Sequence, residues 1–151
     1  MGIKATFTRE DVAVHMMKRL QAIEKAVIFN LHYLGEQCVT TARVNGDYTD
    51  HTGNLRNSIG YVILQNGVIV DQNFKKSASV KSSQEGPKKG LDLAMDVAKD
   101  FSKGYVLIVV AGMEYATKVE SAGRDVLVSA EYYANSEMPK LLKTLKMKIG
   151  K

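Results

Sequence analysis

The chain has 151 residues, 45% of them hydrophobic and 25% charged, enough for a single domain spanning 1–151 to bury its own core. Its one cysteine, Cys38, excludes an internal disulfide, and no Cys/His spacing has the form of a zinc site, which points to a reducing compartment. The net charge of +5 is concentrated: Lys75, Lys76, Lys81, Lys88 and Lys89 face Glu85 alone, and residues 140–151 hold five lysines and no acid. Both segments are compatible with an acidic partner, nucleic acid included, or with simple solvation of a loop and a helix end.

Thr8, with Glu10 and Asp11 behind it, reads as the cap of a first helix. At 100° per residue Met16, Met17, Leu20, Ile23, Val27, Leu31, Leu34, Cys38 and Ala42 form one apolar stripe, and Asn45-Gly46 is the stop signal. The helix is then about 50 Å long at 1.5 Å per residue, whereas a compact chain of this size has a radius of gyration near 15 Å. Gly35 is the expected place for a kink. Phe29 and Tyr33 fall away from the stripe, so a second subunit, or the last helix of the same chain, is expected to cover them.

Ser58–Gln65 and Val68–Phe74 read as two strands joined at Asn66-Gly67, a strong hairpin turn. The Ser/Lys-rich segment after them has no periodicity, and Ser77 to Lys89 is expected to be disordered in the isolated chain. A second helix is predicted from about Pro87 to Lys103, with Leu91, Ala94, Met95, Ala98 and Phe101 on one face, so residues 75–104 read as an insertion. "YVLIVVAG", Tyr105 to Gly112, is a continuous apolar run that predicts a central strand buried on both faces. It is far short of the roughly 20 residues of a membrane helix, and no signal-type segment is seen at the N-terminus. "MEYATKVESAG" predicts a short helical turn ending at Gly123, "DVLV" a further short strand, and Ser129 the cap of a last helix carrying Leu141, Leu142, Leu145 and Ile149, bent or restarted at Pro139. The fold class is α+β: a long N-terminal helix, a small, mainly antiparallel sheet of three to four strands with a helix-containing insertion, and a C-terminal helix.

No catalytic set emerges. Asp47, Asp50 and His51 lie in a linker, where such side chains serve turns through hydrogen bonds to the backbone. Cys38 belongs to the apolar stripe and His32 to another side of the same helix. No G-x-S-x-G elbow is present, and "GPKKG" lacks the spacing of a phosphate-binding loop. The expectation is a chain without catalysis, cofactor or metal. Non-specific nucleic-acid binding through the basic loop and the C-terminal lysines is the alternative reading; with no Trp and four Phe, that contact would be to the backbone without reading sequence.

Two segments carry a resemblance. In "TGNLRNSI" Thr52, Gly53, Leu55, Ser58 and Ile59 match a T-G-x-L-x-x-S-I pattern, and in "GMEYATKVE" Gly112, Tyr115, Ala116, Val119 and Glu120 match G-x-x-Y-A-x-x-V-E. With a long helix before them and a basic helix after, the order resembles the tail-component family of long-tailed phages and prophages, also called tail-completion or head-tail joining proteins. Where that family often has a Pro-rich stretch, this chain has "RDVLVSAEYY". The resemblance implies a non-enzymatic virion protein of the neck, present in the host cytoplasm during assembly. It further implies a ring, sixfold like the tail, between the head-side connector and the tail tube. It also implies a hinge in which Gly53 turns the chain, Leu55 and Ile59 anchor the strand, Arg56 pairs with a carboxylate such as Glu120, and Tyr115 and Val119 pack nearby. Lys75, Lys76, Lys81, Lys88 and Lys89 would then face neighbours or DNA.

Overall fold

Thr8 and Asp11 close a reciprocal cap. The Asp11 amide donates to Thr8 Oγ1 at 3.1 Å, and the Asp11 carboxylate accepts the Thr8 amide at 2.8 Å. From it runs α1 (Arg9–Asn45), 37 residues without interruption. The computed structural model describes residues 6–76 and 85–150 and has the α+β architecture expected. After α1 come α2 (Asn54–Ser58), β1 (Ile59–Gln65), β2 (Val68–Asn73), α3 (Glu85–Ala98), β3 (Tyr105–Ala111), α4 (Ala116–Ser121) and α5 (Val128–Ile149).

Gly35 does not kink α1. It is the place where the ring of Tyr61 lies against the helix, so close that a Cβ there would stand 2.9 Å from the ring. The hairpin turn forms at Asn66-Gly67, both with positive φ, as a tight two-residue loop requires.

The three strands are antiparallel in the order β2-β1-β3. β1, not β3, is therefore the central strand. The apolar run of β3 reports cover on its two faces and says nothing about its edge, which no strand among the described residues pairs. Alternate residues of β1 serve two cores, as the period of a strand demands. Ile59, Tyr61 and Ile63 pack with Leu31, Leu34, Cys38 and Val39 of α1, while Val62 and Leu64 pack with Ala94 and Ala98 of α3. The segment read as an insertion thus supplies the second cover of the sheet.

α3 starts at Glu85 and stops at Ala98, so Glu85–Lys89, expected to be disordered, is helical. Residues 77–84, the rest of that expectation, lie outside the described residues. Met95 and Phe101, placed on its packing face by periodicity, are exposed, because the glycines and alanines of α3 make the contact instead. A Cβ on Gly90 would come within 2.4 Å of the Ser58 carbonyl oxygen, and one on Gly112 within 2.4 Å of the Gly90 backbone. Three stretches of backbone meet there with no room for a side chain.

"DVLV" forms no strand. Val126 is buried as a plug beneath α4, and α5 begins at Val128, with the Asp125 carboxylate accepting the Ser129 amide at 3.1 Å. α5 continues through Pro139 and runs antiparallel to α1. Cys38 meets the Ala130 carbonyl at one end, and the Arg19 guanidinium donates to the Ile149 carbonyl at 2.7 Å at the other. Leu141, Leu145 and Ile149 are half-buried, whereas Leu142 is exposed. The first buried residue of α1 is Leu31, so Met16, Met17 and Leu20, though in the stripe, project beyond the domain. No helix among the described residues is long and apolar enough to cross a membrane.

Gly90→Ala tests the three-way backbone contact. Alanine gains up to about 1 kcal/mol of helix propensity, but overpacking typically costs about 1–3 kcal/mol and more where only backbone can yield. The expected outcome is a net loss of stability in urea unfolding.

Candidate functional site

The two motif segments meet at the end of α1. The turn comes first: Gly53 has φ 71°, the left-handed region open to glycine, and from it α2 carries Leu55, Arg56 and Ser58 to β1. Leu55 is buried with Tyr48, Met113, Ala116 and Val126, and Val119 packs on the same cluster. The Gly112 amide donates to the Ser58 carbonyl at 3.2 Å, so the start of the second motif is bonded to the end of the first. Ser58 Oγ donates to the Leu55 carbonyl at 2.8 Å, and Ile59 is fully buried in the α1 core.

Arg56 does not pair with Glu120. Its guanidinium donates to the carbonyls of Arg43 at 2.9 Å and Gly46 at 2.7 Å, at the C-terminal end of α1, and lies 5.0 Å from the centre of the Tyr48 ring. A cation fits there because the last carbonyls of a helix lack partners and carry its negative pole. Arg43 answers in kind, donating to the carbonyls of Arg56 at 3.0 Å, Ile59 at 2.8 Å and Lys75 at 2.8 Å. Burial holds the Arg43 pKa below its ordinary value, against an opposing pull from Glu36. Glu120 instead accepts the Leu127 amide at 3.0 Å and so fixes the approach to α5. Tyr115 is partly exposed; its pKa is raised mainly by burial and then by Asp50, with a hydrogen bond from Thr52 acting the other way.

The linker acids serve the backbone. Asp50 accepts the Arg56 amide at 2.8 Å, and Asp47 accepts the Asp125 amide at 2.9 Å, which with Arg124 lowers its pKa. His51 is exposed. Among the described residues no group of three or more His, Cys, Asp or Glu is placed to hold a metal ion.

One polar cluster escaped the sequence reading. His32 Nδ1 lies 2.6 Å from the Asp71 carboxylate and 2.9 Å from the Tyr61 hydroxyl, which donates to Glu36; the Asn73 amide donates to the same carboxylate. The spacing of His32 and Glu36 on one helix face was available, but their partners come from β1 and β2 and need the fold. Burial first, and then the bond to Glu36, pushes the Tyr61 pKa up.

The lysines are dispersed. Lys75 and Lys88 line a shallow cleft with Phe74, Pro87 and Leu91, Lys76 is exposed, and Lys89 pairs with Glu114 at 2.6 Å. Lys81 lies outside the described residues. Phe29 is 69% exposed and uncovered, whereas Tyr33, 48% exposed, is hydrogen-bonded to Tyr133 of α5 and so is covered by that helix in part. Comparison of the chain with models of protein families, with curated proteins and with solved structures finds no match.

Arg56→Ala takes the donor from the carbonyls of Arg43, Gly46 and, at 3.4 Å, Tyr48, and removes a cation from the helix end. It is expected to cost about 2–3 kcal/mol in chemical denaturation, with Arg56→Lys recovering only part because one ammonium cannot reproduce the fork. Alkaline pH is a second test. Burial raises the Cys38 thiol to about 11 and the Tyr48 hydroxyl to about 12. Both folded values lie above the unfolded ones, so the stability they contribute is full below those unfolded values and is lost as pH rises toward 11 and 12. Thermal melting should fall through that window, and a thiol reagent at pH 8 should label Cys38 only at the rate of unfolding.

Proposed function

We propose that the chain is a structural, non-catalytic neck protein of a long-tailed phage or prophage, forming a ring between the head-side connector and the tail tube in virion assembly. The observation that carries this reading is the meeting of its two motif segments. Leu55, Ala116 and Val119 share one cluster, and Ser58 and Gly112 share a hydrogen bond, so residues some sixty positions apart form one hinge at the end of α1. In this reading Thr52, Gly53, Leu55, Ser58, Ile59, Gly112, Tyr115, Ala116, Val119 and Glu120 shape the hinge, and the exposed rings of Phe29 and Tyr33 contact the neighbouring subunit. Lys75, Lys76 and Lys88 are left to face the components above or below, or passing DNA.

Negative-stain microscopy and native mass spectrometry of the purified chain are expected to show closed rings, six copies being the number the resemblance implies. Phe29→Ser, at the more exposed of the two rings, should weaken them without lowering the melting temperature. A chain that stays monomeric at every attainable concentration, yet binds duplex DNA tightly with a steep salt dependence, would favour the nucleic-acid reading instead.

A further inference from the structure

We propose that the projecting end of α1 docks, in a second copy of this chain, into the apolar groove beside β3. The inference rests on the ring reading and names the contact that closes it.

The donor is an amphipathic helix end without a cover of its own. Between Arg9 and Ala22 no residue is buried, and Met16, Met17 and Leu20 are each about 60% exposed. α5 ends against Arg19, so the first turns of α1 extend past it. Apolar patches on the order of a few hundred Å² on a protein surface mark interaction sites, and these three side chains lie with Ala13 on one face of the helix, at i, i+3, i+4 and i+7.

The acceptor lies on the domain. A groove of about 380 Å³ runs between β3 and α5, with Leu31 and Leu34 among its floor residues and Leu107, Val109, Ala134 and Met138 among its walls. It is lined by Tyr105, Leu107 and Val109 of β3, the edge strand of the sheet among the described residues, and covering such an edge with a helix is a common way of keeping it from other strands. The arm cannot fill its own groove, because Met17 stands fourteen residues, about 21 Å, ahead of Leu31 on one continuous helix.

Charge selects between the two ways a second copy can use this arm. The arm is basic: Arg9, Lys18 and Arg19 of α1 and Lys146 and Lys148 at the end of α5 beside Arg19 outnumber Glu10 and Asp11. Two arms packed against each other bring like charges together, which costs affinity. The groove has one charged lining residue, Glu131, and Glu24 acts on the Tyr105 hydroxyl at its rim. Arm to groove joins opposite charges and two different patches. That contact is heterologous, the kind that repeats head to tail and closes into a ring when the rotation permits.

Two experiments on the full chain decide it. Met17→Asp with Leu20→Asp alters only exposed side chains, so circular dichroism should not change, while sedimentation should show assembly weakened at least tenfold. If wild type and variant form rings equally, the docking inference fails and the ring reading stands; if the wild type never exceeds a monomer, the ring reading fails and takes this inference with it. In the second, on a Cys38→Ala background that removes the native thiol lining the groove, chains carrying Leu20→Cys are mixed with tagged chains carrying Tyr105→Cys under mild oxidation. A mixed disulfide between the two is expected; Leu20→Cys chains linked to each other, or no link at all, would overturn the proposal.

Discussion

A helix that ends inside a protein leaves its last carbonyls without partners, and here two arginines exchange the answer. Arg56 donates to the carbonyls of Arg43 and Gly46, and Arg43 donates to the carbonyls of Arg56 and Ile59. Each side chain thus closes the backbone that carries the other. The exchange fixes where β1 leaves α1, and β1 is the strand on which both cores are built. One face of it meets α1 through Tyr61 and Ile63, the other meets α3 through Val62 and Leu64. Moving the junction would misplace every layer that follows.

The polar side chains around the junction are occupied by backbone groups. Asp47, Asp50 and Glu120 each accept an amide from a segment that turns, and Ser58 donates to a carbonyl three residues back. Carboxylates used in this way are aimed at the chain itself. Such an arrangement suits a part that keeps its shape under load, in line with the structural role proposed.

What the sequence made legible is what local physics decides. Thr8 with Asp11, Asn66-Gly67 and the stop after Asn45 all act within a few residues, and each was readable because its partner is adjacent in the chain. The errors share one cause, a partner distant in sequence. The apolar run of β3 was taken for a central strand because hydrophobicity records cover above and below but not strand pairing at the side. "DVLV" has the composition of a strand, yet Val126 is taken up by the cluster under α4 with Leu55, Met113 and Ala116, away from the sheet edges. Arg56 was given a carboxylate because charge pairing is the simplest use of an arginine, whereas the helix end that attracts it becomes a partner only when the chain folds back. The stripe of α1 was read correctly as apolar, but nothing in a periodic pattern states where the rest of the domain stops. The contact of Gly90 with Gly112 was likewise invisible, since glycine signals a close approach without naming the other side.

The chain on either side of residues 77–84 is tied to the same small region. The Lys75 carbonyl is held by Arg43, Glu85 is held by the side-chain amide of Asn54, and the next turn of α3 rests on Ser58 through Gly90. The two anchorages are set by the junction and not by what connects them. The entropy of closing a loop rises by only about 0.6 kcal/mol for each doubling of its length. A change in the length of chain between the two anchorages therefore costs the sheet and its two covers little.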